Sequence, residues 1–121
     1  MDTALRVLVP DVNAALRGWQ VLGYEVRDRW GPPFAILSGP GPDVWLSGPQ
    51  TSAAKITSEL DPGLRSSASV RLVTIVDDLA AHVRAMQQAG WGSLGATRSG
   101  PGGQQALLRR DGVIVECFQP A

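Results

Sequence analysis

With a single cysteine, Cys117, the chain cannot close an internal disulfide, and a reducing cytoplasm is the compartment this favours. With a single histidine, His82, it lacks the material for a histidine-based metal site. Charge is scarce as well: 18% of residues are charged, and eleven basic side chains balance eleven acidic ones. No basic run or stripe is visible, which argues against nucleic acid as a partner. No apolar stretch is long enough to cross a membrane. The N-terminus has no charged start followed by an apolar run, so no signal peptide is expected.

What is present fits one globular domain. The 121 residues are 44% hydrophobic, enough for one core and too few for two ordinary domains. Fourteen glycines and nine prolines fall mainly between short apolar runs, a pattern of many short strands joined by tight turns.

The chain also repeats itself. Val9-Pro10-Asp11-Val12-Asn13-Ala14-Ala15 lies over Val76-Asp77-Asp78-Leu79-Ala80-Ala81-His82 at an offset of 67 residues. The match runs on without a gap, Arg17 meeting Arg84, Gln20 meeting Gln87, Gly23 meeting Gly90 and Tyr24 meeting Trp91. A slightly larger offset pairs Gly31-Pro32 with Gly100-Pro101, Ala35 and Leu37 with Ala106 and Leu108, and Pro49 with Pro120. Each half reads as a strand, a helix and three more strands. Leu5, Val7 and Val9 alternate with Arg6 and Leu8 as a one-sided strand does. Asp11 and Asp78 stand where helix N-caps belong. Val12, Ala15, Leu16 and Trp19 recur at helical spacing, with Gly23 as a stop. Strands are expected at 24–29, 34–38 and 44–47, and again at 70–76, 94–98, 105–110 and 113–119. The second helix is expected over about 79–89. Asp111-Gly112 signals a hairpin. The connector covers about 49–67, with a short helical piece expected at 52–60.

Two βαβββ modules in tandem resemble the glyoxalase/bleomycin-resistance/dioxygenase, or vicinal oxygen chelate, superfamily. The phrases that carry the resemblance are Val9-Pro10-Asp11-Val12, Trp19-Gln20-Val21-Leu22-Gly23-Tyr24, Val76-Asp77-Asp78-Leu79 and Asp111-Gly112-Val113-Ile114-Val115-Glu116. It covers the whole chain apart from the connector. It implies an α+β fold in which the two modules form a curved mixed eight-stranded sheet around a cleft. Module one is about 1–48 and module two about 68–121. Metal-dependent members carry ligands on the first and last strands of each module, usually His, Gln or Glu. Carried over to this chain, those positions hold Ala4, Trp45, Arg71 and Glu116. One carboxylate does not offset the dehydration of a divalent ion, and Arg71 would repel it. No metal and no cofactor is therefore expected, and Arg71 is expected to pair with Glu116, whose buried charge needs a partner.

Strand alternation sorts the other residues. Ile114, Glu116 and Phe118 should face the cleft, with Val115 and Cys117 on the helix side. Ala4, Arg6 and Leu8 share the cleft face on the first strand, and Arg71, Val73 and Ile75 on the fifth. Phe34, Ile36, Gln105, Leu107 and Arg109 are placed there too. Trp45 should stand in the cleft and Trp30 at its mouth. Trp19 and Trp91 read as core, Cys117 as a small core residue and His82 as a solvent-facing helix residue.

Such a cleft is apolar and aromatic with a few charges. One reading is metal-independent binding of a small aromatic or heteroaromatic molecule, in the manner of antibiotic-sequestering resistance proteins. Trp45, Trp30, Arg6, Arg71, Glu116, Phe34 and Arg109 would line that site. Alternatively the arginines pair with Glu116 and Asp43 and merely fill the sheet. An enzymatic reading makes the chain a glyoxalase-like lyase or isomerase, with Glu116 as general base and Arg71 as electrostatic stabiliser. A firm Arg71 pair would make Glu116 a poor base. A degenerate metal enzyme and a scaffold domain whose cleft binds nothing complete the set. The expected partners are a small molecule and a second copy of the chain, with no nucleic acid and no membrane.

Overall fold

A computed structural model describes residues 2–121. The chain runs β1 (Asp2–Leu8), α1 (Val12–Val21), β2 (Glu25–Trp30), β3 (Phe34–Ser38), β4 (Asp43–Ser47), α2 (Ser52–Ser58), α3 (Pro62–Ala68), β5 (Val70–Ile75), α4 (Leu79–Gln88), β6 (Gly92–Gly100), β7 (Gly103–Arg110) and β8 (Val113–Pro120). Both βαβββ modules are present. All eight strands join one mixed, curved sheet in the order β2-β3-β4-β1-β5-β8-β7-β6. Within each module the first strand pairs parallel with the last, β1 with β4 and β5 with β8. The modules meet where β1 lies antiparallel to β5, with Leu5 opposite Leu72 and Arg6 opposite Arg71. No helix of the described residues is long and apolar enough to cross a membrane.

The long helices begin where the aspartates predict. Asp11 accepts a hydrogen bond from the Ala14 backbone N–H at 3.2 Å, and Asp78 from Ala81 at 3.1 Å. Each carboxylate satisfies a donor that has no partner inside its helix. Asp11→Ala and Asp78→Ala should each lower stability by about 1 kcal/mol, read as a shift in the urea midpoint at unchanged slope. Gly23 and Gly90 follow the helices at φ +94° and +100°, a backbone that side chains resist.

One face of the sheet is covered by these helices. Under α1, Val12 joins Val7, Tyr24, Ala35, Leu37, Val44 and Leu46, with Leu16 and Trp19 packed alongside. Under α4, Leu79 joins Val76, Ala106, Leu108 and Cys117, with Met86 and Trp91 alongside. Cys117 is a core residue, and Trp19 and Trp91 are partly buried and pack against the two cores. His82 departs from expectation, being half-buried rather than fully solvent-facing.

The connector is more ordered than the sequence reading supposed. Its first helix ends at Ser58, and a second helix, α3, follows from Pro62. Both lie on the other face of the sheet. Ile56 and Ala68 pack with Leu107 and Ile114 into a separate cluster, ringed by Leu60, Leu64 and Leu94. The cleft is thus not an open trough between two equal walls. The chain's own connector fills one half of this face, over Leu107 and Ile114, and leaves open the half bounded by Phe34, Ile75 and Phe118.

Candidate functional site

Glu116 stands at the centre of the concave face and is fully buried, 0% exposed. Both its oxygens are occupied. Arg6 donates from Nε to Oε1 at 3.1 Å and from Nη2 to Oε2 at 2.7 Å. Arg71 donates from Nε to Oε1 at 2.9 Å, with its Nη2 at 2.8 Å from the same oxygen. The two arginines reach one carboxylate because they face each other across the β1–β5 pair, and β8 runs beside β5. Like charges so opposed repel, and Glu116 is what allows the register.

The remaining nitrogens are also engaged. Arg6 Nη1 donates to the Ser47 hydroxyl at 3.0 Å. Arg71 Nη1 donates to the Thr57 hydroxyl at 2.7 Å and to the Ala68 carbonyl at 2.9 Å, and its Nη2 reaches the Ala53 carbonyl at 3.5 Å. The connector therefore holds Arg71 as well as covering it. Burial pushes the Glu116 carboxyl up, but the charges and hydrogen bonds of Arg6 and Arg71 outweigh burial and leave it below its ordinary value. Burial lowers the Arg71 pKa, with Glu116 opposing and Arg6 adding to the shift. A guanidinium still keeps its proton, so the cluster is a carboxylate between two cations.

The Arg6 guanidinium also lies 4.9 Å from the Trp45 ring centre and 5.8 Å from that of Phe34. From there a line of aromatic rings crosses the open half. Trp30 and Phe34 have ring centres 5.4 Å apart, Phe34 and Trp45 6.1 Å, and Trp45 and Phe118 5.4 Å, the last two pairs edge-to-face. Trp45 is the floor, 8% exposed, packed with Ala4, Ile36 and Val73. Phe34, Ile75 and Phe118 form a partly exposed rim, and Trp30 stands 56% exposed at the edge.

Six of the seven residues assigned to the site from sequence fall in this one region. Arg109 does not. It is exposed at the far end of β7, in a shallow groove of about 330 Å³ with Gly92, Ser93, Leu94, Arg110, Asp111 and Gly112. It is placed there because β7 outruns the connector's cover. Asp43 is not a partner of the central arginines either. It pairs with Arg27, on β2, at 2.5 Å. A register shift between Val26 and Asp28 marks a bulge at Arg27.

Arg6 is a full partner of Glu116 beside Arg71, as in the alternative in which the arginines pair with it. One contribution is not legible in the sequence. Thr57, Ala53 and Ala68 clamp Arg71 from a segment that carries no motif. Cys117 lies on the helix side with its sulfur 3.3 Å from that of Met86. Burial pushes its thiol up, opposed by the Thr74 hydroxyl, which is no setting for a nucleophile.

No family model and no curated protein matches the chain. Solved structures do. A glyoxalase/bleomycin resistance protein/dioxygenase superfamily member from Vibrio splendidus superposes with a TM-score of 0.63 at 22% identity, covering 97% of both chains. Methylmalonyl-CoA epimerase from Mycobacterium tuberculosis gives 0.61 at 20% identity, over 98% of this chain and 86% of that one. A protein described as an NAD-dependent benzaldehyde dehydrogenase from Legionella pneumophila gives 0.73 at 12% identity, over 98% and 99%. The fold is that of the vicinal oxygen chelate superfamily.

The register fixes which positions of the two modules are equivalent. Arg6 lies beside Trp45 on β1 and β4 as Val73 lies beside Glu116 on β5 and β8. Trp45 and Glu116 are therefore equivalent, and Ala4 and Arg71 likewise. These four do not fit a divalent ion. The only carboxylate among them has both oxygens taken by guanidinium groups. No group of three or more His, Cys, Asp or Glu residues suited to a metal occurs among the described residues.

Proposed function

We propose that the chain binds a small, flat aromatic or heteroaromatic molecule on the open half of the concave face, without a metal, as antibiotic-sequestering members of the superfamily do. The observation that carries this is the line of rings from Trp30 through Phe34 and Trp45 to Phe118. Rings held edge-to-face are preorganised to receive a further ring at little entropic cost. Trp45 serves as the floor, with Phe34, Phe118 and Ile75 as the contacting rim and Trp30 as an exposed flank. Arg6, Arg71 and Glu116 act as a rigid base beneath it. Their hydrogen-bonding nitrogens and oxygens are spent on one another, so they do not select an anionic ligand. A cytoplasmic homodimer is the form in which we expect the protein to act.

Catalysis by Glu116 is the weaker reading. A general base must reach substrate and accept its proton. Glu116 is buried, doubly paired and held below its ordinary pKa.

Tryptophan fluorescence titration against a panel of bicyclic heteroaromatics tests the proposal. At least one class should quench, with Trp30 as exposed reporter. Trp45→Leu should weaken binding about tenfold, and Trp45→Phe should keep most of the affinity. Undiminished binding by Trp45→Leu, or no quenching by any compound, would show the face to be simply core.

A further inference from the structure

Gln105 on β7 is 5% exposed, and its side-chain oxygen Oε1 is buried without a hydrogen-bond partner. It is the only such side-chain nitrogen or oxygen among the described residues. Its Nε2 donates to the Ser52 hydroxyl, at a long 3.4 Å. One hydroxyl can serve only one end of an amide, so the other end stays unmet. Buried polar groups are almost always paired, and a lone exception calls for an explanation.

The position supplies one. Gln105 lies opposite Phe118 in the β7–β8 pair, so its side chain shares the concave face with that ring. Phe118 is the last ring of the aromatic line and touches Trp45. The unmet acceptor therefore stands at the end of the proposed aromatic site, where the open half meets the connector. It is closed over by Ser52 and by the turn between β6 and β7. Gly100 sits so close to Ser52 that an added Cβ would come within 2.5 Å of its hydroxyl. Gly102 lies over the Phe118 ring, an added Cβ there being 3.7 Å from Cζ. The β6 side of this turn is separated from the rest of its strand by a register shift between Leu94 and Arg98. Beyond it only Arg98, Ser99 and Gly100 hold the tip to β7. The tip is otherwise tied by the Ala121 N–H, which donates to the Gly102 carbonyl at 2.9 Å, and by the Arg98–Glu59 ion pair.

We infer that Gln105 is a ligand-binding residue whose side-chain oxygen accepts a hydrogen bond from an N–H of the bound ring, so that the cleft selects neutral nitrogen heteroaromatics carrying a ring N–H or an amino group. The inference rests on the aromatic site proposed above and names its polar determinant. The arginines cannot take this role, since a guanidinium only donates, and the nitrogens of both already donate to Glu116, Ser47 and the connector. A ligand reaches the acceptor past Phe118, with the β6–β7 tip lifting from Ser52.

Benzimidazole and 1-methylbenzimidazole are a matched pair of probes that differ in the donor N–H. Fluorescence titration of the full chain should show benzimidazole binding about tenfold more tightly, equal to about 1.4 kcal/mol. In Gln105→Leu, and in Gln105→Met, that ratio should fall to near one. Both variants should melt no lower than the wild type, because each removes an unpaired amide group from the interior. Equal binding of the two probes by the wild type, or a preference that survives both substitutions, overturns the inference and leaves the aromatic site standing. Failure of both probes to bind at millimolar concentration overturns both. A marked loss of stability in both variants shows that Gln105 is a structural residue and also overturns it.

Discussion

Glu116→Gln should cost about 3–5 kcal/mol, a fall of roughly 10–20 °C in melting temperature for a domain of this size. The substitution is nearly isosteric and leaves the packing alone. What it removes is the only negative charge between Arg6 and Arg71, which then face each other across β1 and β5 inside an apolar face. Thermal unfolding followed by circular dichroism measures the effect. A triple substitution of Arg6→Met, Arg71→Met and Glu116→Leu should recover most of the loss, since a buried ion cluster contributes little over well-packed apolar groups. A fall of under 1 kcal/mol in Glu116→Gln would mean that the arginines reach solvent. The same carboxylate sets an acid limit. Its folded pKa lies below the ordinary value of 4.5, so its contribution is complete above that value. The contribution is lost as pH falls through the depressed folded pKa. The wild type should lose stability steeply only below about pH 4, and Glu116→Gln should show a flatter acid dependence.

Ile56→Ala should cost about 2–4 kcal/mol, the loss expected at a core position rather than in a linker. Ile56 is 4% exposed and packs in one buried cluster with Ala68, Leu107 and Ile114. Its neighbours Ala53 and Thr57 hold Arg71, so loosening α2 also loosens the ion cluster. Hydrogen exchange gives a second reading: the amides of α2 should be protected nearly as well as those of β5. A cost under 1 kcal/mol with fast exchange at residues 52–58 would show a connector merely resting on the sheet. The concave face would then be open over both modules.

The features legible in the sequence were local ones. Asp11 and Asp78 could be read as caps because capping needs only the next three residues. The 67-residue offset survived because duplicated strands and helices keep their spacing. The resemblance carried by the repeat implies the fold and places Ala4, Trp45, Arg71 and Glu116 on the cleft face, and strand alternation adds Arg6 to them. What stayed hidden depends on segments far apart in sequence. Pro62 behind Asp61 was a usable helix-start signal for α3, but the helix has seven residues and no apolar period to announce it. Nothing in residues 52–68 indicates which face of the sheet they cover. Arg6 and Arg71 were both placed near Glu116, yet alternation cannot say that one carboxylate serves two guanidinium groups. Arg109 was misplaced for a related reason. Alternation gives the side of a strand and not how far the neighbouring cover extends along it. The unmet amide of Gln105 could not be read at all, because satisfaction of a polar group is a property of everything around it.

The seam between β1 and β5 also bears on how the chain comes together during synthesis. A protein emerges from the ribosome with its N-terminal end first. Arg6 and Arg71 are made long before Glu116, and in its absence their charges oppose the very pairing that joins the modules. Glu116 thus ties the last strand to the seam: until β8 lies beside β5, the charges of Arg6 and Arg71 that face each other across β1 and β5 lack the carboxylate that offsets them.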